Sequence, residues 1–317
     1  MYILGIDTSN YVTSLAVLQK EPDQEAVLVQ EKRITLEVIK GGKGLRQSEA
    51  VFQHIKNMPE IWEDIFSKLQ GASIRCIAAS VKPRPLEGSY MPVFQVGESY
   101  GRCLASFLQV PFYGFSHQEG HIETGFWNSK CPSNHFLSLH LSGGTTELVE
   151  AVRNPRRGMD IHLLGGTNDL NAGQFIDRVG VKLGLSFPAG RELEKLAAGN
   201  TQGGLKVPVS VKGYDISFSG PATFVERALE GGAPAAEAAR GVEVAIAHSL
   251  IEVLRRAADD KALQEVLVVG GVASNAFIRR RLMEGLPSLS FYFPSPRFAG
   301  DSAVGPALLA VQLLSTA

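Results

Sequence analysis

Three cysteines in 317 residues are too few to staple a fold together. Cys76, Cys103 and Cys131 are widely spaced, odd in number and form no CxxC pair. That excludes a disulfide framework and a zinc ribbon, and fits a reducing compartment. No apolar run approaches the roughly 20 residues that a membrane helix needs, so no membrane association is expected. The chain also lacks an excess of either charge, with Lys+Arg 31 against Asp+Glu 32. Wholesale nucleic-acid binding through a basic surface gains no support from that balance. Two short basic clusters remain, Arg153 with Arg156 and Arg157, and Arg279 to Arg281, and such runs are ordinarily solvated faces. Met1 to Ile6 reads as a first strand with no charged leader before it. The expectation is a cytoplasmic protein.

What is present is the material of a sizeable core: 44% hydrophobic and 20% charged residues, enough for about two domains. Tyr2 to Ile6 and Ser14 to Leu18 read as a hairpin around Asp7-Thr8-Ser9. Phe136 to Leu141 and Glu147 to Val152 read as a second hairpin around Ser142-Gly143-Gly144-Thr145-Thr146. Two such units opening two comparable halves suggest a structural duplication. Helical spacing covers 49–69, 96–108, 172–183, 191–198, 235–259, 274–284 and 302–314. The first of these has its stripe on Val51, Ile55, Met58, Ile61, Ile65 and Leu69. Strands are expected over 74–81, 110–115, 265–269 and 289–293. Strands alternating with helices predict an α/β fold on mixed sheets. The boundary is expected near 115–135, with 127–134 as a linker and lobes of 1–120 and 121–317.

Five places carry candidate chemistry. His117 and His121, at i and i+4, share a helix face and can grip a metal from one side. The competing reading is a pair of surface histidines. Glu119 does not stand where HExxH proteases carry their base. Leu141, Ser142, Gly143, Gly144 and Thr145 form a small, glycine-containing turn that lets backbone approach a phosphate; an ordinary hairpin turn is the alternative. Gly270-Gly271 and Asn275 end a buried strand and open a helix, either as a nucleotide seat or as an Asn-capped turn. Asp177, with Gly190 beyond it, suits ribose hydroxyls, or else pairs with Arg178 or Lys182 on a helix surface. Asp301 precedes the last helix as either an N-cap or a third metal ligand; two histidines and a carboxylate suit iron or catalytic zinc.

Taken in order, these stretches resemble the TsaD/Gcp (Kae-type) family, formerly called O-sialoglycoprotein endopeptidase (peptidase M22-like). It supplies the catalytic subunit that makes N6-threonylcarbamoyladenosine in tRNA. Gly5 to Ser9 is similar to its G-I-[ED]-T-S, and His117 to His121 to its H-x-E-G-H. Leu141 to Thr146 is similar to V-S-G-G-H-T, Ala172 to Asp177 to A-G-E-A-[FY]-D, and Ser217 to Gly220 to F-S-F-S-G. Gly270 to Asn275 matches G-G-V-[SA]-A-N, and Asp301 stands in the place of T-D-N. The resemblance implies an actin-like ATPase (ASKHA) fold of two lobes. It implies one divalent metal, iron or zinc, on His117, His121 and Asp301. It also implies an adenine nucleotide or acyl-adenylate on Leu141 to Thr145, Asp177, Gly190 and Asn275, with Asp7, Thr8 and Ser9 as candidate phosphate contacts. The implied partners are tRNA and TsaB/TsaE-like subunits, with self-association left open.

The chain departs from the family pattern at several polar positions. Asn10-Tyr11-Val12-Thr13 replaces the acidic C-D-[ED]-T, and Lys82-Pro83-Arg84-Pro85-Leu86 replaces G-P-G-L. Thr145, Gln174 and Ser302 replace a histidine, a glutamate and an asparagine. A divergent paralogue is therefore expected. Its activity is threonylcarbamoyl transfer, or a carbamoyl-adenylate transfer to another acceptor, or non-catalytic nucleotide binding within the family's complex. A protease reading lacks both a Ser/His/Asp set and HExxH.

Overall fold

The computed structural model describes residues 1–9, 11–38, 45–69, 73–154, 156–200 and 204–314. Asn10, the first of the departing residues, lies outside them. Two compact units divide the chain. The first comprises Met1–Asn128, Val152–Ile161 and Gly300–Ala317, and the second Ser129–Ala151 and His162–Ala299.

The first unit opens with β1 (Tyr2–Asp7), β2 (Val12–Gln19) and β3 (Val27–Thr35), an antiparallel meander. Helix α1 (Gln47–Ser67) leads to β4 (Ile74–Lys82), and α2 (Phe94–Leu108) leads to β5 (Phe112–Ser116). Helix α3 (His117–Ser129) follows β5 directly. The sheet order is β3-β2-β1-β4-β5, with β4 parallel to both β1 and β5. Burial on both faces explains why β1 is almost continuously apolar. The inner stripe of α1 differs from the one expected. It runs through Ala50, His54, Met58, Ile61 and Ile65, and Ile55 is exposed. A histidine can enter that stripe because its Nδ1 lies 2.9 Å from Thr13 Oγ1, a hydroxyl that also accepts from Asn57 Nδ2 at 3.1 Å.

The second unit repeats the plan. Its strands β6 (His135–Leu141), β7 (Thr146–Asn154) and β8 (Gly158–Gly166) precede α4 (Ala172–Lys182) and α5 (Gly190–Ala198). A short ribbon, β9 (Val211–Lys212) and β10 (Asp215–Ile216), comes before α6 (Ser219–Glu230) and α7 (Ala235–Lys261). Then follow β11 (Glu265–Val269), α8 (Ala276–Gly285) and β12 (Ser290–Tyr292). The order β12-β11-β6-β7-β8 puts β6, β7, β8, β11 and β12 in the places of β1, β2, β3, β4 and β5. The duplication expected from the two hairpins is visible in this shared order. The core of this unit gathers around α7, whose Ala238, Val242, Ile246, Leu250 and Leu254 are buried with Phe175 and Phe218. The last helix, α9 (Val304–Leu314), belongs to the first unit and packs on β1 and β4.

The connection expected over 127–134 is shorter, because α3 continues to Ser129 and β6 begins at His135. Nor are the basic clusters simply solvated faces. Arg153 forms a two-pronged pair with the buried Glu123, Nε to Oε2 at 3.0 Å and Nη2 to Oε1 at 2.7 Å, and lies over the Phe126 ring. Burial pushes the Glu123 carboxyl up against the pull of Arg153. Removing one partner of such a pair strands the other. Arg153→Ala is therefore expected to lower the unfolding free energy by about 3 kcal/mol, read from urea denaturation at neutral pH. In the other cluster, Arg279 is committed to the carbonyls of Ala273 and Pro294.

Candidate functional site

In the first unit, the parallel strands β1, β4 and β5 deliver Asp7, Ser80 and Ser116 to one end of the sheet, where α/β proteins place ligand sites. Lys82, at the end of β4, is in register with Ser116. Glu119 accepts from both the backbone N–H and the hydroxyl of Ser116, at 2.7 and 2.6 Å. That fastens the first turn of α3 to the strand end. The turn presents His117 and His121 side by side, ring centroids 4.4 Å apart.

Asp301 completes the set. Its Oδ1 lies 3.1 Å from His121 Nε2 and 3.6 Å from His117 Nε2. The three ligand atoms lie within 4.8 Å of one another. A tetrahedral ion with bonds of about 2.1 Å has ligand–ligand edges of about 3.4 Å, so the two shorter separations match a metal cradle. At the start of α9 it is Ser302 Oγ that accepts from Val304 N, at 3.1 Å.

Asp7 supplies the support that a metal-ligating histidine needs. Its Oδ2 is 3.1 Å from His117 Nδ1 and accepts from Ser80 Oγ at 2.5 Å, while Oδ1 accepts from Ser9 N at 2.9 Å. Burial opposes charge on Asp7, but the His117 ring outweighs it and holds the carboxyl below its usual range. An ionised Asp7 can only accept, so Nδ1 of His117 carries the proton and Nε2, facing Asp301, is the nitrogen that could take a metal. Burial likewise opposes charge on His117, yet Asp7 raises its pKa. Burial and the neighbouring His117 hold His121 below the usual histidine range, which favours the neutral, ligating ring. The sequence pattern points to Asp7, Thr8 and Ser9 as phosphate contacts and carries no sign of this orienting role. Their side chains are engaged within the protein. Thr8 Oγ1 donates to Val93 O at 2.8 Å and accepts from Gly97 N at 3.1 Å.

In the second unit, Leu141 ends β6 and Ser142 N donates to Thr145 O at 2.8 Å, closing the turn. Gly143 and Gly144 are exposed, with open space where a Cβ would stand. Gly173, in the first turn of α4, packs against Ser142 O and the Gly143 backbone, so a helix N-terminus abuts the turn. Asp177 does not pair with Arg178 or Lys182, which bind Glu226 and Glu230. Its Oδ1 accepts from Ala189 N at 2.7 Å, and Oδ2 has no partner among the described residues. Burial pushes its pKa up. Gly190 has open space beside it. Gly270 bridges β11 to the following turn with φ +96°, and a Cβ there would meet Leu141 O at 2.3 Å. The turn between β6 and β7 and the turn after β11 are thereby held together. Asn275 caps α8, its Oδ1 accepting from Ile278 N at 2.8 Å.

A family model described as TsaD, tRNA N6-adenosine threonylcarbamoyltransferase, matches residues 29–308. The chain belongs to the TsaD family. A protein of Thermus thermophilus named tRNA N6-adenosine threonylcarbamoyltransferase is 34% identical over 316 residues, covering 98% of this chain and 92% of that one. One of the same name from Archaeoglobus fulgidus is 30% identical over 304 residues, covering 95% of this chain and 88% of that one. Among solved structures, the HypF protein of T. kodakarensis aligns with TM-score 0.66 at 16% identity, over 99% of this chain and 48% of that one. Component A of the Acidaminococcus fermentans (R)-2-hydroxyglutaryl-CoA dehydratase aligns with TM-score 0.60 at 18% identity, over 98% of this chain and 99% of that one. At these identities the likeness is one of fold: the TsaD-family chain has the actin-like ATPase fold, with two mixed five-stranded sheets flanked by helices.

One carboxylate beside Asn275 went unread in the sequence. Glu243, buried on α7, accepts from Asn275 Nδ2 at 2.7 Å and pairs with Arg240 Nη1 at 2.5 Å. Burial pushes its carboxyl up to about 7, against the hydrogen bond from Asn275 and the charge of Arg240. The folded protein therefore holds a proton there between pH 4.5, the group's ordinary value, and about 7. The stability contributed by that proton is complete below 4.5 and is lost as pH rises through about 7. Glu243→Leu is expected to flatten this decline, by up to about 3 kcal/mol between about pH 5 and about pH 8, as read from urea denaturation at both pH values.

Proposed function

We propose that this TsaD-family protein transfers a threonylcarbamoyl group from its adenylate to the exocyclic N6 of an adenosine in tRNA. The amine nitrogen bonds to the carbamoyl carbon, the bond from that carbon to the phosphate oxygen breaks, AMP leaves, and N6 gives up a proton. The observation that carries this reading is the cradle of His117, His121 and Asp301 with Asp7 behind it, in a chain whose relatives bear that enzymatic name. Two imidazoles and one carboxylate suit zinc or iron and leave coordination positions for substrate. Bound there, the ion supplies Lewis-acid polarisation of a substrate oxygen.

The chain's own residues do the rest. Asp7 fixes the His117 ring and its tautomer. Leu141, Ser142, Gly143, Gly144 and Thr145 offer a backbone turn to phosphate, beside the N-terminus of α4. Asp177 keeps one carboxylate oxygen for ribose hydroxyls, the open face of Gly190 admits the sugar, and Asn275 meets the nucleoside. Holding the carbamoyl carbon for an approaching amine is the main catalytic task. TsaB/TsaE-like subunits act with it, in the cytoplasm where tRNA and ATP reside. Among the described residues no helix is long and apolar enough to cross a membrane. The test combines the purified, metal-loaded protein with those partner subunits, ATP, preformed threonylcarbamoyl-adenylate and unmodified tRNA. Appearance of N6-threonylcarbamoyladenosine by mass spectrometry is expected; tRNA left unmodified would overturn the reading.

A further inference from the structure

The N-terminus of α8 looks like a place for an anion, but the protein fills it with its own groups. Ala276 N donates to Glu194 Oε1 at 2.7 Å, and Ile278 N donates to Asn275 Oδ1 at 2.8 Å. The oxygen of the Asn275 amide therefore faces the helix. Its nitrogen faces Glu243, to whose Oε1 it donates at 2.7 Å in a bond shielded from solvent. Glu243 cannot easily turn away. Its other oxygen holds Arg240, and the Arg240 guanidinium lies 4.0 Å over the Phe277 ring, two residues beyond Asn275.

A primary amide has two N–H donors and one carbonyl. With Oδ1 on the helix and one N–H on Glu243, Asn275 has a single N–H without a partner among the described residues, left for a ligand. We propose that Glu243 is a positioning residue of the nucleotide site: it makes Asn275 a one-donor reader that selects an acceptor atom of the nucleoside, a ribose oxygen or a ring nitrogen. This rests on the reading that Asn275 contacts the nucleotide. Even when paired, a carboxylate removed from solvent is often no more stabilising than an apolar side chain of similar volume, so its presence here calls for a role beyond packing. Without Glu243 the second N–H loses its acceptor, and only the Ile278 N–H still holds the amide against turning.

The test is a double-mutant cycle on the full chain, with ADP affinity measured by calorimetry at about pH 8. Asn275→Ala and Glu243→Leu are each expected to weaken ADP binding about tenfold, the loss of one neutral hydrogen bond. The double variant is expected to bind no more weakly than either single one. Glu243→Gln keeps a carbonyl acceptor and stays within about threefold of the unaltered protein. The melting temperature of Glu243→Leu is expected to hold or rise, which separates positioning from general damage. If Asn275→Ala weakens binding and Glu243→Leu does not, the role of Glu243 is overturned while that of Asn275 stands. Additive losses in the double variant also overturn it, because Glu243 would then act by another route. If the unaltered protein binds no ADP, or both single variants bind it unchanged, the Asn275 reading fails and this proposal with it.

Discussion

His121→Ala protein is expected to fold and to purify without metal. His121 is nearly buried, holds its ring neutral and supplies one of three converging donors. Its loss leaves two donors for an ion that needs at least three protein ligands. Loss of an outer-shell partner alone costs about 10–100-fold in metal affinity, and loss of a direct ligand exceeds that. Asp7→Asn provides the graded comparison. An asparagine in that place still accepts through its oxygen, but it removes the charge that fixes the His117 tautomer, so affinity should fall about 10–100-fold. Metal content after exhaustive dialysis, by atomic emission, should rank unaltered protein above Asp7→Asn, and Asp7→Asn above His121→Ala. Threonylcarbamoyl transfer should follow the same order. His121→Ala protein that retains a full equivalent of metal would show that the cradle has been misassigned.

The sequence disclosed the cradle only in part, for reasons that lie in the spacing of its members. His117 and His121 are four residues apart, so helical periodicity alone brings them together. Asp301 is 180 residues from His121, and Asp7 is 110 residues from His117. No local pattern carries such contacts; family motifs suggested the first and nothing suggested the second. Glu243 was invisible for the same reason, sitting 32 residues from Asn275 in a helix that reads as plain core. The regular elements were more legible. The stretch 265–269 is legible to the residue as a strand, because buried parallel strands are short apolar runs. Strands β3 and β8 went unread, since each carries polar and charged residues in no strict alternation. Helix α6 begins Ser219-Gly220-Pro221, which reads as a turn, yet proline is well placed in a first helical turn.

Gly305→Ala should do to the cradle from below what His121→Ala does from within. Gly305 lies in the first turn of α9 and meets Gly120 of α3. A Cβ at 305 would stand 2.0 Å from the Gly120 carbonyl oxygen and 2.5 Å from its carbon. Packed atoms prefer about 3.5–4.0 Å, and both obstacles are backbone, so no side chain can rotate away. The helices must separate by roughly an ångström or more. That separation acts on the metal site directly, because His121 follows Gly120 and Asp301 precedes Gly305 by one turn. The 3.1 Å approach of His121 Nε2 to Asp301 cannot survive it. Alanine's better helix propensity returns about 1 kcal/mol, against about 3 kcal/mol or more of overpacking. A net loss of about 2 kcal/mol is expected, with metal retention as poor as in His121→Ala. Gly220→Ala is the control. Its Cβ meets nothing within 4 Å, so stability should hold or rise by up to about 1 kcal/mol and metal binding should not change. If Gly305→Ala melts and binds metal like Gly220→Ala, the close crossing of α3 and α9 is not what holds Asp301 against the histidines.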